Sequence, residues 1–243
     1  MPEQTLVVVS DAHIGAVPAE TEAALLDFLD AAPSLGDSLL INGDLFQFWF
    51  AYRQVIPRRG FAVAARVVAA ARRLPVAIVG GNHDRWGEAF WSDQPGVRYA
   101  RQALRFEAGG RRVHAVHGDG LPARRGFRPL LQRIVGHPAT SAAYRWLHPD
   151  LGVPLANAAA PFLGGGPASP TQRDRRAEEQ RRWAEAATRR DQSVDLLIMG
   201  HTHAPALIEV EPGRTYLNPG AWAEGLRYAT VRGSEVRLLQ YTP

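Results

Sequence analysis

Five short apolar runs in this chain each end in aspartate, asparagine or histidine, usually beside a glycine. Leu6–Val9 runs into Ser10, Asp11 and His13; residues 39–41 run into Asn42, Gly43 and Asp44. Val76–Val79 runs into Gly80, Gly81, Asn82, His83 and Asp84. "RRVHAVHGDG" brings up His117 and Asp119, and "VDLLIMGHTHAP" brings up His201 and His203 behind Gly200. A continuous apolar run suits a strand buried on both faces. Glycine lets the backbone bend sharply where such a strand stops, and in open α/β sheets ligands bind beyond the carboxyl ends of the strands. Five of the eight histidines lie in these endings. Histidines placed only for core packing would not sort themselves this way.

Between the runs, apolar periodicity predicts helices over about 20–32 and 61–73. The βαβ rhythm to residue 90 predicts a mostly parallel sheet covered by helices. From about 97 to 117 the pattern becomes a hairpin across Gly109 and Gly110. The tail, at 205–210, 214–217, 227–232 and 235–241, reads as short strands forming a second sheet packed on the first. A chain of 243 residues suits one large domain with an insertion. No cysteine is present, which excludes disulfides and thiolate metal sites and fits a reducing, cytoplasmic compartment. The N-terminal apolar run is too short for a signal peptide or a membrane span.

All 28 basic side chains are arginine. Positions 121–190 hold 12 arginines against 5 acidic residues, and the rest of the chain holds 16 against 19. The surplus therefore belongs to one segment and implies an anionic partner. Within it, Phe127, Leu130, Leu131, Ile134 and Val135 recur at helical spacing, a Pro- and Gly-broken apolar stretch follows, and 171–190 reads as a polar helix with Glu178–Arg182 and Glu185–Arg189 pairs. The segment starts just after His117 and ends just before His201, so it is expected to cap the site.

Aspartate, asparagine and histidine without cysteine suit Mn²⁺, Fe²⁺ or Zn²⁺. Asp11, His13, Asp44, Asn82, His117, His201 and His203 are more ligands than one tetrahedral ion needs. Two ions sharing a carboxylate would use them. Such a pair clamps the attacking and leaving oxygens of a displacement at phosphorus and generates hydroxide near neutral pH.

The ordered set Asp11-x-His13, Gly43-Asp44, Gly81-Asn82-His83-Asp84, His117 and Gly200-His201-Thr202-His203 resembles the calcineurin-like metallophosphoesterases. That resemblance implies an α/β fold: a two-sheet sandwich flanked by helices, with residues 1–120 and 191–243 as core and 121–190 as a helical cap insertion. It implies that Asp11, His13, Asp44 and His203 hold one metal, and that a bridging Asp44 with Asn82, His117 and His201 holds the other. His83, oriented by Asp84, would protonate or hydrogen-bond the leaving oxygen. "GDLFQFWF", "PRRGF", "GNHDRW", "HGDGL", "WLHPDLG" and "YLNPGAW" further resemble the UDP-2,3-diacylglucosamine pyrophosphatases of lipid A biosynthesis. This implies cleavage of that acylated nucleotide sugar's diphosphate to UMP and 2,3-diacylglucosamine 1-phosphate, with Mn²⁺ foremost, at the inner-membrane surface. Arg85, Arg124, Arg125 and Arg128 are then candidates for the charged part of the substrate, and Phe127 and Leu131 for its acyl chains. The chain departs from that family's pattern at His83 (Arg in its best-known branch), at Gln47 (usually acidic) and at Ala221 (commonly Asp or Ser).

Two other readings compete. One is a nuclease or cyclic-nucleotide phosphodiesterase that uses the arginines for a polyanion. The apolar content of 151–164 speaks against it, and no nucleic-acid partner is expected. The other is a non-catalytic scaffold, which a full set of competent ligands disfavours. His114, His137 and His148 read as packing or turn residues. Trp49 and Tyr52 read equally as core or as cleft walls, and Arg85 and Trp86 either touch substrate or start a helix.

Overall fold

Alternation along the first strand decides how the layers stack. In β1 (Leu6–Val9) every residue is buried, Leu6 and Val8 in one apolar cluster and Val7 and Val9 in another. The strand must therefore be covered on both faces. In the computed structural model, which describes residues 4–52, 54–119, 134, 137–159 and 169–243, those covers are a helical layer and a second sheet.

The first sheet runs β11-β10-β1-β2-β3-β4. β1, β2 (Ser38–Asn42), β3 (Val76–Val79) and β4 (Val97–Ala100) are parallel. β10 (Arg227–Arg232) lies antiparallel to β1 and pairs with β11 (Glu235–Gln240). α1 (Ala19–Leu35) and α2 (Phe61–Ala70) pack on its outer face. α1 turns Leu25, Phe28, Leu29 and Ala32 inward, one side of a helix.

The second sheet runs β5-β6-β7-β9-β8. β6 (Arg111–Val116), β7 (Leu196–Ile198) and β9 (Arg214–Asn218) are parallel; β5 (Ala103–Ala108) and β8 (Ala206–Glu211) close its edges antiparallel. Leu196, Ile198 and Leu217 face the first sheet, while Leu197, Met199 and Tyr216 face outward. Two expectations are corrected here. The tail is shared between the sheets, since β10 and β11 join the first one. The hairpin across Gly109 and Gly110 forms between β5 and β6, but residues 97–100 add β4 to the first sheet instead.

Among the described residues three further helices follow: α3 (Glu88–Trp91), α4 (Pro138–Tyr144) and α5 (Pro149–Ala159). α5 is capped by His148, whose Nδ1 accepts from the Asp150 N–H at 3.3 Å. The arginine-rich helix α6 (Pro170–Arg190) starts with a Ser169/Gln172 capping box and Pro170 in its first turn. It buries Gln180, Ala184 and Thr188 against the outer face of the second sheet. This helix is thus the fourth layer of the sandwich. Its pairs form on the exposed side, Glu178 to Arg182 at 2.7 Å and Glu185 to Arg189 at 3.7 Å, with Arg181 bridging both glutamates. Among the described residues no helix is long and apolar enough to cross a membrane.

Candidate metal centre

The parallel strands β1, β2, β3, β6 and β7 all release their polar endings at one edge of the sandwich. Their loops are tied together by backbone: the Asp11 N–H donates to the Gly43 carbonyl at 3.1 Å and the His13 N–H to the Asp44 carbonyl at 2.9 Å. The turns are tight. Of six non-glycine residues with positive φ among those described, five are Asp11, His13, Asp44, His201 and His203, at 48–67°. Such conformations are costly for side-chain-bearing residues and gather at functional sites. The glycines of the motif answer to space. A Cβ on Gly81 would lie 2.1 Å from Asp44 Oδ1, and one on Gly200 would lie 2.2 Å from Ser10 Oγ and 2.6 Å from Asp11 Oδ2.

Among the described residues three groups of donor atoms converge, each within 4.8 Å: Asp11, His13 and His203; His13, Asp44 and His83; and Asp44, His117 and His201. Asp11 and Asp44 are buried, and His117 is buried with them. His13 and His203 face each other through Nε2 at 3.1 Å, with Asp11 Oδ1 3.5 Å from His203 Nε2. His117 gives Nδ1–H to the Asn42 carbonyl at 2.9 Å and turns Nε2 inward, 3.1 Å from Asp44 Oδ2 and 3.9 Å from Asp11 Oδ1. That buried Nε2 has no aligned hydrogen-bond partner. Electron-rich atoms crowded together and aimed at a common space fit divalent ions, and the all-oxygen-and-nitrogen donor set fits Mn²⁺, Fe²⁺ or Zn²⁺.

Electrostatics favour the same conclusion. Burial pushes the His13 imidazole below its usual range, and burial followed by the neighbouring His117 pushes His201 down to about 4. Both are neutral at pH 7, as ligands must be. Burial opposes charge on the Asp44–His117 pair as well, but their mutual attraction overcomes it. Asp44 is held well below the carboxylate range by His117, His83 and His13, and His117 is held well above the imidazole range by Asp44 and Asp11. Without an ion His117 therefore keeps a proton beside Asp44, one that metal binding must displace.

Asp11 is fixed by the Ser10 hydroxyl at 2.5 Å and by the His201 N–H at 3.1 Å. Asn82 lies in the β3 turn with its side chain exposed. Asp84 behaves differently from expectation. Its carboxylate accepts the N–H groups of Leu45 (2.6 Å), Phe46 (3.3 Å) and Gly81 (2.8 Å), and so ties the β2 and β3 turns together. Burial and then Asp44 raise its pKa to about 6. The ring of His83 is oriented instead by the Gln47 carbonyl, 2.9 Å from Nδ1. This corrects the role read for Asp84. It also makes the side chain at position 47 incidental to that contact, because the backbone supplies it.

Arg85 is paired with Asp119, and its Nε donates to the Gly81 carbonyl at 3.3 Å. Trp49 is core, stacked on Phe46 at 4.3 Å, whereas Tyr52 lines a cleft. Arg124, Arg125, Phe127, Arg128 and Leu131 lie outside the described residues. Two residues went unassigned in the sequence: Gln180 and Asn218 both donate to the Gly200 carbonyl, at 2.9 and 3.1 Å. Asn218 stood inside "YLNPGAW". Gln180 had no local signal, because its partner is a backbone oxygen of another strand end.

A two-sheet α/β sandwich whose parallel strands deliver buried carboxylates and imidazoles to one edge is the framework of a metal-dependent hydrolase. The pattern is matched at the family level. The calcineurin-like phosphoesterase family model matches residues 5–205, and the chain belongs to that family. It is a metal-dependent hydrolase of phosphoric esters. Its relatives include a UDP-2,3-diacylglucosamine hydrolase of Porphyromonas gingivalis, 26% identical over 94% of each chain. Another, of Aeromonas hydrophila, is 28% identical over 96% of this chain and 97% of the relative. A solved structure of a hypothetical protein of Pyrococcus horikoshii shares the fold, with TM-score 0.54 and 12% identity over 97% of this chain and 87% of that one.

Proposed function

We propose that this enzyme hydrolyses the diphosphate of UDP-2,3-diacylglucosamine, releasing UMP and 2,3-diacylglucosamine 1-phosphate. One observation carries the reading furthest: a cleft of about 510 Å³ lies beside the donor cluster. It runs from Ile14 and Gln47, neighbours of His13 and of the His83 ring, to Val153 and Pro154 of α5, and Arg58 and Arg59 lie along it. Apolar walls for acyl chains and guanidinium groups for phosphate thus share one opening next to the ligand nest. The UDP-2,3-diacylglucosamine hydrolases among its relatives support this chemistry.

Asp11, His13, Asp44 and His203 would hold one ion, and Asp44, Asn82, His117 and His201 the other. Bound ions, Mn²⁺ foremost, supply Lewis acidity at the phosphoryl oxygens and lower the pKa of water. A water oxygen bonds to one phosphorus, and the bridging oxygen leaves with the other phosphate. The Gln47 carbonyl takes the Nδ1–H of His83 and leaves Nε2 to serve the leaving oxygen. Trp146 (92% exposed), Leu151 and Leu155 form an apolar surface on the α4–α5 segment. That surface supports work at the cytoplasmic face of the inner membrane, where such a lipid resides.

The test is product analysis by mass spectrometry with Mn²⁺-loaded enzyme, offering UDP-2,3-diacylglucosamine, a small chromogenic diester and single-stranded nucleic acid. The acylated nucleotide sugar should yield UMP. Val153→Asp should suppress that reaction and spare the small diester. Efficient cleavage of nucleic acid with none of the acylated substrate would overturn the proposal.

A further inference from the structure

The Nδ1 atoms of His117 and His83 face backbone carbonyls, of Asn42 and Gln47. His203 differs. Its Nδ1 lies 2.8 Å from Glu224 Oε1, the carboxylate of a residue 21 positions away, which no sequence motif singled out. His203 is also more open than His13 or His117, with its side chain 25% exposed against 13% and 0%. Of these three rings it is the one that solvent can most easily turn.

Glu224 is well placed to prevent that. It closes the 3-10 turn Trp222–Glu224, which follows β9. Trp222 is fully buried and its Nε1–H donates to the Thr21 carbonyl at 3.2 Å. The backbone N–H groups of Trp222 and Ala223 donate to the carbonyls of Ser10 and Asp11, at 2.9 and 3.1 Å. The turn that carries Glu224 is therefore bolted to the loop that carries Asp11. From the other side Arg173 of α6 approaches Glu224 Oε1 to 3.8 Å.

We infer that Glu224 is a positioning residue for the first metal position: it accepts the Nδ1–H of His203 and so keeps the Nε2 lone pair turned toward Asp11 and His13. The inference rests on the reading that this cluster holds two ions. A carboxylate behind a ligating imidazole fixes both the tautomer and the ring plane and raises the ligand's basicity. Backbone carbonyls give His117 and His83 the orientation without the charge.

The experiment is a calorimetric Mn²⁺ titration of metal-stripped wild type, Glu224→Ala and Glu224→Gln. Urea unfolding and long-range proton–nitrogen spectra of the histidine rings accompany it. Glu224→Ala should weaken one of the two binding events by ~10–100-fold and leave the other in place. It should also let the His203 ring sample both tautomers. Glu224→Gln, whose amide oxygen still accepts the bond, should recover most of the affinity and the single tautomer. Two ions bound by Glu224→Ala at wild-type affinity would overturn the inference. So would equal weakening of both sites together with a fall in folding stability. Wild type that takes up fewer than two ions would instead overturn the two-ion reading beneath it.

Discussion

Replacing Gly81 by alanine tests whether the glycines beside the ligands are there for space. A Cβ at this position would stand 2.1 Å from Asp44 Oδ1, 2.4 Å from the Asp44 nitrogen and 2.7 Å from its carboxyl carbon. No rotamer relieves contacts with a backbone nitrogen, so the β2 and β3 turns must part by about 1 Å, a displacement that costs about 100-fold when it falls on reacting groups. Asp44, like His13, belongs to two of the three donor groups found among the described residues, so its movement disturbs both. Overpacking of this kind costs about 1–3 kcal/mol of stability. Metal content after dialysis, turnover of a chromogenic diester and urea unfolding separate these effects. The expected result is a folded protein with weakened metal binding and turnover reduced by about 100-fold. Gly213→Ala is the comparison: its φ is +74°, yet nothing lies within 4 Å of the new methyl. It should cost about 1–2 kcal/mol of backbone strain and leave turnover unchanged. Wild-type metal affinity and turnover in Gly81→Ala would refute the reasoning.

Asp44→Ala should abolish binding of both ions, whereas His201→Ala should spare one; metal analysis after saturation decides between shared and separate ligands. His83→Ala should keep both ions and lose ~10²–10⁴-fold in kcat, and a lost ion would show that the ring is a ligand. Asp195 offers a pH test. Hydrogen bonds from the Arg112 side chain, at 2.9 and 2.6 Å, hold its carboxyl down to about 2, below its ordinary 3.8. Its contribution is therefore complete above pH 3.8 and is lost as pH falls through about 2. Asp195→Asn should cost about 0.5–1 kcal/mol at pH 7, a screened surface value. The gap to wild type, followed by urea unfolding, should close on acidification.

The strand ends were legible because burial and chemistry both leave side-chain signatures. Val7 and Val9 must be apolar to meet α1 and α2, and Asp11 and His13 must be polar to meet a cation. Neighbours in a sheet leave no such mark. The apolar alternation of β10 tells which faces are buried, but nothing in it says that Leu6 pairs with Val231. Hence the sequence alone does not divide the tail between the two sheets. The inward stripe of α6, Gln180, Ala184 and Thr188, is too small and polar to register in the sequence as a core face. The misread role of Asp84 has the same origin. Its partners, and the Gln47 carbonyl that orients His83, are backbone atoms, which every residue possesses.

His13 and His203 meet through Nε2 although 190 residues separate them along the chain, and one comes from each sheet. His117 and Asp44 likewise join the second sheet to the first. An ion held by either group acts as a cross-link, closing a long loop and narrowing the freedom of the unfolded chain. In a protein without a single cysteine, ions bound there would be removable rivets across the seam between its sheets. The groups that equip it for chemistry at phosphorus are also those through which metal supply would govern how firmly its two halves are held.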